Sequence, residues 1–356
     1  MDIRQVAKRA RVSTATVSRT MNGIPTVDST LAKRVWRAID ELNFYPNTQA
    51  RALVSGRSRI FGLVVSEVTN PFFPEIVQTF EDLAVQNNYD ILLSSTVHDP
   101  KRMESAVRRI IERRVDGVAI LTFGMEDALV QNLRFRKVPL VFIDVGPSAP
   151  GISNIRIDYQ HGIRQAVQHL AALRHKRIAF VSGPLHLRSA IARRDAYQQA
   201  IGEIGLAAGD DLLYEGNHTM DGGMRALVHF SNLRQPPTAL LCSNDMTAIG
   251  VLRQAYEYGV RIPQELSVVG FDDIRITQFT TPPLTTVQMS QSEIARLAFM
   301  ALLKETQLEP AARQATEYPL TTHLVLRGST ALAPSQTWRR NAAGHMRAGH
   351  RASASA

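Results

Sequence analysis

Residues 2–22 read DIRQVAKRARVSTATVSRTMN. The spacing predicts two short helices around a tight turn. Asp2 stands just before the apolar stripe Ile3, Val6, Ala7 and Ala10, and Gln5 follows at the capping-box distance, so a carboxylate and an amide are placed to satisfy free N–H groups at the helix start. Arg11-Val12-Ser13 forms the turn. Ser13 is positioned to cap a second helix from about Thr14 to Asn22, and Gly23 stops it. Val17 and Met21 face the first helix, which leaves Thr14, Ala15, Thr16, Ser18 and Arg19 outward. A helix pair presenting a short polar face with one arginine fits the DNA major groove, although an ordinary helical hairpin has the same periodicity.

Charge favours the first reading. Residues 1–59 hold eleven Lys/Arg against four acids, a net of +7, and residues 334–356 hold four Arg and no acid. The whole chain carries +9, which leaves about −2 for residues 60–333. A basic module on a near-neutral body is the footprint of a surface for phosphate backbone. Solubility explains the tail as well, and since no periodicity follows Leu332, residues 334–356 read as a disordered basic tail.

A third helix is expected from about Ser29 to Leu42, capped by Asp28, with Leu31, Val35, Ile39 and Leu42 on one face and Trp36 at its flank. Phe44-Tyr45-Pro46 then closes a headpiece of residues 1–46. In NTQARALVSG, 47–56, Asn47 can cap and Ala50 and Leu53 share a face, but a helix this short is marginal in water, and from the residues alone 47–59 reads equally as a plain linker.

From Ile60 the pattern alternates between strand and helix. Continuous apolar runs mark strands at Phe61–Val65, Asp90–Ser94, Gly117–Leu121, Leu140–Ile143, Arg177–Val181, Thr238–Cys242 and Ser267–Val269. Amphipathic stretches between them include Glu75–Asn87, Arg102–Arg113, Gly162–Leu173, Ala190–Ile204 and Met246–Tyr258. This is an α/β body, and a break near Asp158 favours two doubly wound lobes over the alternative, a closed TIM barrel. At 44% hydrophobic the chain can bury a large core. Its single Cys242 lies in the apolar run TALLC, so no disulfide forms within the chain. No secretory apolar segment follows Met1, and the longest apolar runs are about five or six residues, so no membrane contact and a cytoplasmic location are expected.

Ligands of open α/β sheets bind beyond the carboxyl ends of the strands. Those positions here hold Asp144, Ser182-Gly183, Asn244-Asp245 and Asp272-Asp273, while LVVSEVTN leads to Phe72 and Phe73. Carboxylates and an amide serve several hydroxyls at once and aromatic rings cover C–H faces, a chemistry suited to a sugar or other polyol. Singly, each could be a loop cap. Phosphate-loop, dinucleotide and nucleophile-elbow motifs are absent, and the ten His lack metal spacing, so no catalytic residue, cofactor or metal is expected. Asp272 and Asp273 are neighbours on a strand, point to opposite sides and cannot form an acid/base pair.

The runs VAKRARVSTATVSRTMNG and NFYPNTQARAL resemble the headpiece and hinge of the LacI/GalR-type (lac repressor family) transcriptional regulators, and NPFF at 70–73, RVDGVAIL at 114–121, VSGP at 181–184, SNDMTAIGVL at 243–252 and SVVGFDD with PPLTTV at 267–287 follow in the family's order. The resemblance covers about residues 2–332. It implies a helix-turn-helix headpiece, a hinge helix at 47–59 and a periplasmic-binding-protein-like core at 60–333, with lobe 1 about 60–158 and 290–318 and lobe 2 about 159–289 and 319–333. By the same resemblance Thr14, Ala15 and Arg19 read bases, Leu53 is the minor-groove leucine, and Phe72, Asp144, Arg193, Asn244 and Asp272 bind an effector. Arg193 rests on RRDAY, where Ala196 replaces the family's glycine. Arg11 replaces the usual turn glycine, so the turn must accommodate a side chain, positive φ being one way to do so. No leucine follows Leu332, so a homodimer is expected rather than a tetramer. The implied function is a repressor that binds pseudo-palindromic operator DNA and a small, sugar-like effector. A sugar-binding transport protein with the same core is the competing class, and it should lack the basic headpiece.

Overall fold

The computed structural model describes residues 2–21, 25–44, 57–122, 125, 127–144, 146–147, 149–206, 209–335 and 338. The chain divides into two units, Met1–Arg59 and Ile60–Ala356.

In the first unit, helices α1 (Ile3–Ala10), α2 (Thr14–Met21) and α3 (Ser29–Glu41) form where their caps lie. The Asp2 carboxylate accepts the Arg4 and Gln5 N–H groups at 2.9 and 3.1 Å, and Gln5 Oε1 accepts the Asp2 N–H at 3.2 Å. Ser13 Oγ accepts the Thr16 N–H at 3.1 Å, and Asp28 accepts from Thr30 and Leu31. Arg11 is left-handed at φ 52°, a conformation that costs a non-glycine residue about 1–2 kcal/mol. Its N–H closes onto Ala7 and Lys8, and the Arg34 guanidinium donates to the Ala10 and Arg11 carbonyls at 2.5 and 3.2 Å, so the turn is held from both sides. Val6, Ala7, Ala10, Val17, Val35, Ala38, Ile39 and Phe44 make the small core. The proposed helix stop at Asn22-Gly23, the closing Tyr45-Pro46 and the hinge segment 47–56 lie outside the described residues.

The second unit runs β1 (Ile60–Val65), α4 (Phe73–Gln86), β2 (Asp90–Ser95), α5 (Pro100–Glu112), β3 (Gly117–Leu121), α6 (Asp127–Phe135), β4 (Leu140–Ile143), β5 (Ile152–Asp158), α7 (Tyr159–Ala172), β6 (Ile178–Ser182), α8 (Arg188–Glu203), β7 (Leu213–Glu215), α9 (Met220–Ser231), β8 (Ala239–Cys242), α10 (Asp245–Tyr258), β9 (Ser267–Asp272), β10 (Thr285–Gln288), α11 (Gln291–Gln307), β11 (Thr316–Thr321) and β12 (His323–Val325). These strands form two open sheets, not a barrel: β11-β5-β4-β3-β1-β2, all parallel, and β12-β10-β9-β8-β6-β7, in which only β12 is antiparallel. Strands such as β3, buried along their whole length, are apolar without alternation because helices cover both faces.

The chain crosses between the sheets three times, at Asp158–Tyr159, between β10 and α11, and at Thr322. Lobe 1 is therefore 60–158 plus the return segment through Thr321, and lobe 2 is 159–289 plus the chain from Thr322. The last crossing falls three residues beyond the boundary expected at 318/319, because β11 pairs with β5 as far as Thr321↔Asp158. Pro319 is tolerated there because β11 is an edge strand. Helix α11 returns to lobe 1, where Phe299 meets Phe61 and Phe80 edge to face at 5.5 and 5.4 Å. At Trp338 the assignment of 334–356 to a disordered tail is corrected. This indole is buried in the lobe 2 core, and its Nε1–H donates to the Pro237 carbonyl at 2.7 Å.

Candidate DNA-reading face and interlobe site

On α2, Thr14, Ala15 and Arg19 are exposed as expected, while Thr16 and Ser18 are half-buried. The Thr16 hydroxyl pairs with Ser13 Oγ at 2.9 Å, so it serves the helix cap, and Thr20, which is buried, bonds back to the Thr16 carbonyl. The outward face thus narrows to three residues around one arginine. Among the other cations of the unit, Arg9 is tied to Glu41 at 2.6 Å and Arg34 is occupied at the turn. Asn47, Ala50 and Leu53 fall outside the described residues.

The strand ends of the two lobes converge on Arg193, which projects from α8 and is only 5% exposed. Its guanidinium carbon lies 4.2 Å from the Phe271 ring centre and 5.0 Å from that of Tyr159. It donates to the Ser243 carbonyl and stands 3.6 Å from the Asp272 carboxylate. Burial pushes the Asp272 carboxyl up to about 7, with Arg193 pulling the other way. Asp272 and Asp273 both have positive φ and face different partners, Arg193 for the former and Arg327, at 2.5 Å, for the latter.

Asn244 is placed by the start of α10. Its Oδ1 accepts the Thr247 N–H and its Nδ2 donates to the His218 carbonyl, each at 3.0 Å. The adjacent Asp245 is fully buried and structural. It accepts from Thr286 at 2.5 Å and from the Ile274 N–H at 2.9 Å, and a Cβ at Gly270 would sit 2.1 Å from its Oδ1. His218 is held at φ 62°, and burial, then Arg193, then His98 of lobe 1, push its imidazole down to about 3, so it is neutral.

From lobe 1 comes Asp144, at φ 65°. Its Oδ1 accepts the Ile157 N–H at 3.0 Å and its Oδ2 accepts the Tyr159 hydroxyl. Burial raises its pKa, while Tyr159 and Ile157, then Arg193, oppose the rise. Phe72 and Phe73 lie edge to face at 5.2 Å in the hydrophobic cluster that also contains Tyr159 and Phe271, more core than open platform. The structure thus brings Asp144, Arg193 and Asp272 together, with Asn244 one shell out through His218. Sequence reasoning missed Tyr159, His218, Ser243 and Phe271. Only Tyr159, directly after the Asp158 break, carried a signal.

Three buried polar atoms around Arg193 have no partner among the described residues, Arg193 Nε, His218 Nε2 and Ser243 Oγ, and Thr247 Oγ1 in the first turn of α10 has none either. Each such atom costs on the order of 1–3 kcal/mol unless a ligand or water meets it. A cavity of about 470 Å³ on lobe 1, lined in part by Arg134, Lys137 and Arg313, lies at the opposite ends of β4 and β5 and contains none of these atoms. Among the described residues there is no cluster of three metal-binding side chains, and no helix is long and apolar enough to cross a membrane. Cys242 is buried and its thiol pKa is raised by burial, which fits a strand residue.

A capped three-helix headpiece together with two doubly wound lobes and a polar interlobe site defines a class of ligand-binding regulators. Residues 2–47 match the bacterial regulatory proteins of the lacI family, and residues 167–330 match the periplasmic binding protein-like domain. The HTH-type transcriptional repressor PurR of Vibrio atlanticus (strain LGP32) is 32% identical over 303 residues, 85% of this chain and 91% of the relative. Catabolite control protein A of Priestia megaterium is 31% identical over 318 residues, 89% and 96% of the two chains. The lac repressor dimer bound to operator and the anti-inducer ONPF superposes with a TM-score of 0.81 at 27% identity, covering 93% of this chain and 99% of that one. The chain belongs to the LacI family. These relatives are transcriptional regulators rather than enzymes.

Proposed function

We propose that this protein is a dimeric, effector-responsive repressor that binds a pseudo-palindromic operator. The observation that carries the reading is the pairing of two features in one chain. One is the exposed Thr14, Ala15, Arg19 face on a Ser13-capped helix. The other is a set of unpartnered buried polar atoms around Arg193. The first supports base readout with Arg19 on a guanine edge, and the second supports a small ligand between the lobes. Exposed apolar side chains on both lobes, Val85 and Leu93 on one and Tyr256, Ile276 and Phe279 on the other, support pairing of two copies. A neutral, hydroxyl-rich effector fits a wall of one guanidinium, one carboxyl, one neutral imidazole and an amide. Carbohydrate-uptake or catabolic genes are the corresponding targets. A solved relative, the regulator CelR, is a cellobiose complex, at 27% identity and a TM-score of 0.68. Within the hinge, Leu53 of each copy is assigned the role of an apolar wedge at the central operator step.

The test is fluorescence anisotropy with DNA from upstream of the protein's own coding region. Saturable, salt-sensitive, sequence-dependent binding is expected, and Arg19→Ala should weaken it by about 1–3 kcal/mol at one position per half-site. Leu53→Ala should reduce DNA bending in end-labelled FRET. Binding that ignores sequence would overturn the reading. For the effector, a thermal-shift screen with sugars and nucleosides should show a hit, because a ligand at 100 times its Kd adds about 2.7 kcal/mol.

A further inference from the structure

Both oxygens of the Asp144 carboxylate are already engaged, one by the Ile157 N–H and one by Tyr159, and the Asp144 carbonyl accepts from Arg156. Asp144 is thereby held to its own chain, one lone pair of each carboxylate oxygen being used. It ties the end of β4 to the segment where the chain first leaves lobe 1. Tyr159 is the first residue of α7, immediately after that crossing, and is only 6% exposed. Its hydroxyl holds lobe 1, while its ring packs at 5.8 Å from Phe271 and 5.0 Å from the Arg193 guanidinium, both in lobe 2.

One turn further along α7, the three crossings meet. A Cβ at Gly162 would stand 2.4 Å from Val287 Cγ1, on β10 just before the second crossing, and 2.6 Å from Thr322 Oγ1, at the third. The Thr322 hydroxyl donates to the Asp158 carbonyl at 2.6 Å and accepts the Gly162 N–H at 3.1 Å. Asp158 Oδ1 accepts the His161 N–H at 3.0 Å. The first turn of α7 therefore cannot tilt without moving the other two crossings, since packed elements shift between discrete arrangements rather than deforming.

We propose that Tyr159 is a positioning residue that couples the lobes: its hydroxyl fixes Asp144 of lobe 1 while its ring carries Arg193 of lobe 2, so that ligand occupancy at the lobe 2 wall reaches lobe 1 and the crossings through this side chain. The inference rests on the effector-binding reading above. A ligand that draws Arg193 or Asp272 toward itself changes the face that Tyr159 packs on. The Tyr159–Asp144 bond then either rotates lobe 1 with it or breaks, and both outcomes change the relative stability of the two lobe arrangements.

Tyr159→Phe keeps the ring and removes only the hydroxyl. In the full chain it should bind effector within about threefold of wild type, while the ratio of operator affinities with and without effector falls by about tenfold or more. A merely structural role would not separate these two readouts. Asp144→Asn should lower the same ratio of operator affinities, whatever it does to effector binding itself, and the double variant should lower that ratio little further than either single one. A variant that keeps the wild-type ratio overturns the proposal. If the wild type binds no ligand at all, the effector reading fails by itself, and Tyr159 is still judged without one. Spin labels on Lys101→Cys and Asp221→Cys, on opposite lobes, leave the buried Cys242 untouched. Their distance distribution should broaden in Tyr159→Phe, and an unchanged distribution again overturns the proposal.

Discussion

Lobes 1 and 2 share a strand order, yet their strand ends differ in how completely the polar groups are paired. In lobe 1, Ser66 donates to Thr122 at 2.8 Å, and each Asp144 oxygen accepts a bond, one from the Ile157 N–H and one from Tyr159. In lobe 2, Arg193, His218 and Ser243 each leave a buried polar atom without a partner among the described residues. Lobe 1 has unpartnered atoms too, at Ser153, Asn154 and Glu305, but they lie along β5 and α11 rather than at the strand ends. Likeness of topology does not divide the labour equally: on the proposed effector reading lobe 2 supplies the unpaired groups that a ligand would meet, while the Asp144 end of lobe 1 is tied to its own chain.

The largest expected effect breaks the open wall. Arg193→Ala removes the cation between two rings and leaves Asp272 buried alone, and urea denaturation at pH 8 should show a loss of about 3 kcal/mol. A loss below about 1 kcal/mol would mean that the open wall is no more costly than the closed one. Next, Asp272→Ala should weaken effector binding about 100-fold, equivalent to about 2.7 kcal/mol, and leave operator affinity within a few-fold by anisotropy. Effector response at wild-type concentrations would move the ligand site elsewhere.

A smaller effect comes from titration. The folded protein keeps the Asp272 proton up to about 7, whereas the unfolded chain releases it near 3.8. Stability from this group is complete below 3.8 and is lost as pH rises through about 7, by at most about 1.4 kcal/mol per pH unit. The gain of Asp272→Asn over wild type in urea should therefore grow from pH 5 to pH 7 and then level off. His218 acts in the opposite sense. Its pKa is lowered from 6.5 to about 3, so its contribution is lost as pH falls below 6.5. The smallest effect lies far from the site. Trp338→Phe keeps an apolar ring and loses the bond to Pro237, for about 1 kcal/mol in the same assay, and leaves effector binding unchanged.

Local chemistry was readable from the sequence and long-range chemistry was not. The Asp2–Gln5 box and the Ser13 and Asp28 caps depend on neighbours a few residues away, and each was placed correctly, while the left-handed Arg11 follows from the turn glycine that the resemblance supplies. Strands β3 and β4 appear with the predicted bounds because uninterrupted apolar runs have one use in a covered parallel sheet. Strand β5 was missed because ISNIRID places Ser153 and Asn154 in the interior, and β11 because TEYPLT alternates as an edge strand does. Asp144, Arg193 and Asp272 were named by resemblance, but their arrangement was not. Tyr159 and Phe271 flank Arg193 from positions 34 residues before and 78 residues after it in sequence. No periodicity or spacing encodes a contact of that range.

The three crossings also set an order of events during synthesis. The ribosome delivers β1 to β5 first, but α11, which covers the Phe61 and Phe80 side of lobe 1, and β11, which protects the edge of β5, follow only after all of lobe 2 up to β10. A nascent chain of about half length therefore displays an uncovered apolar sheet face and an open strand edge, the surfaces most prone to aberrant association. Lobe 1, first to be begun, waits for nearly the whole chain before it is complete, and this fold asks most of the cell's chaperones in the interval before residue 321 emerges.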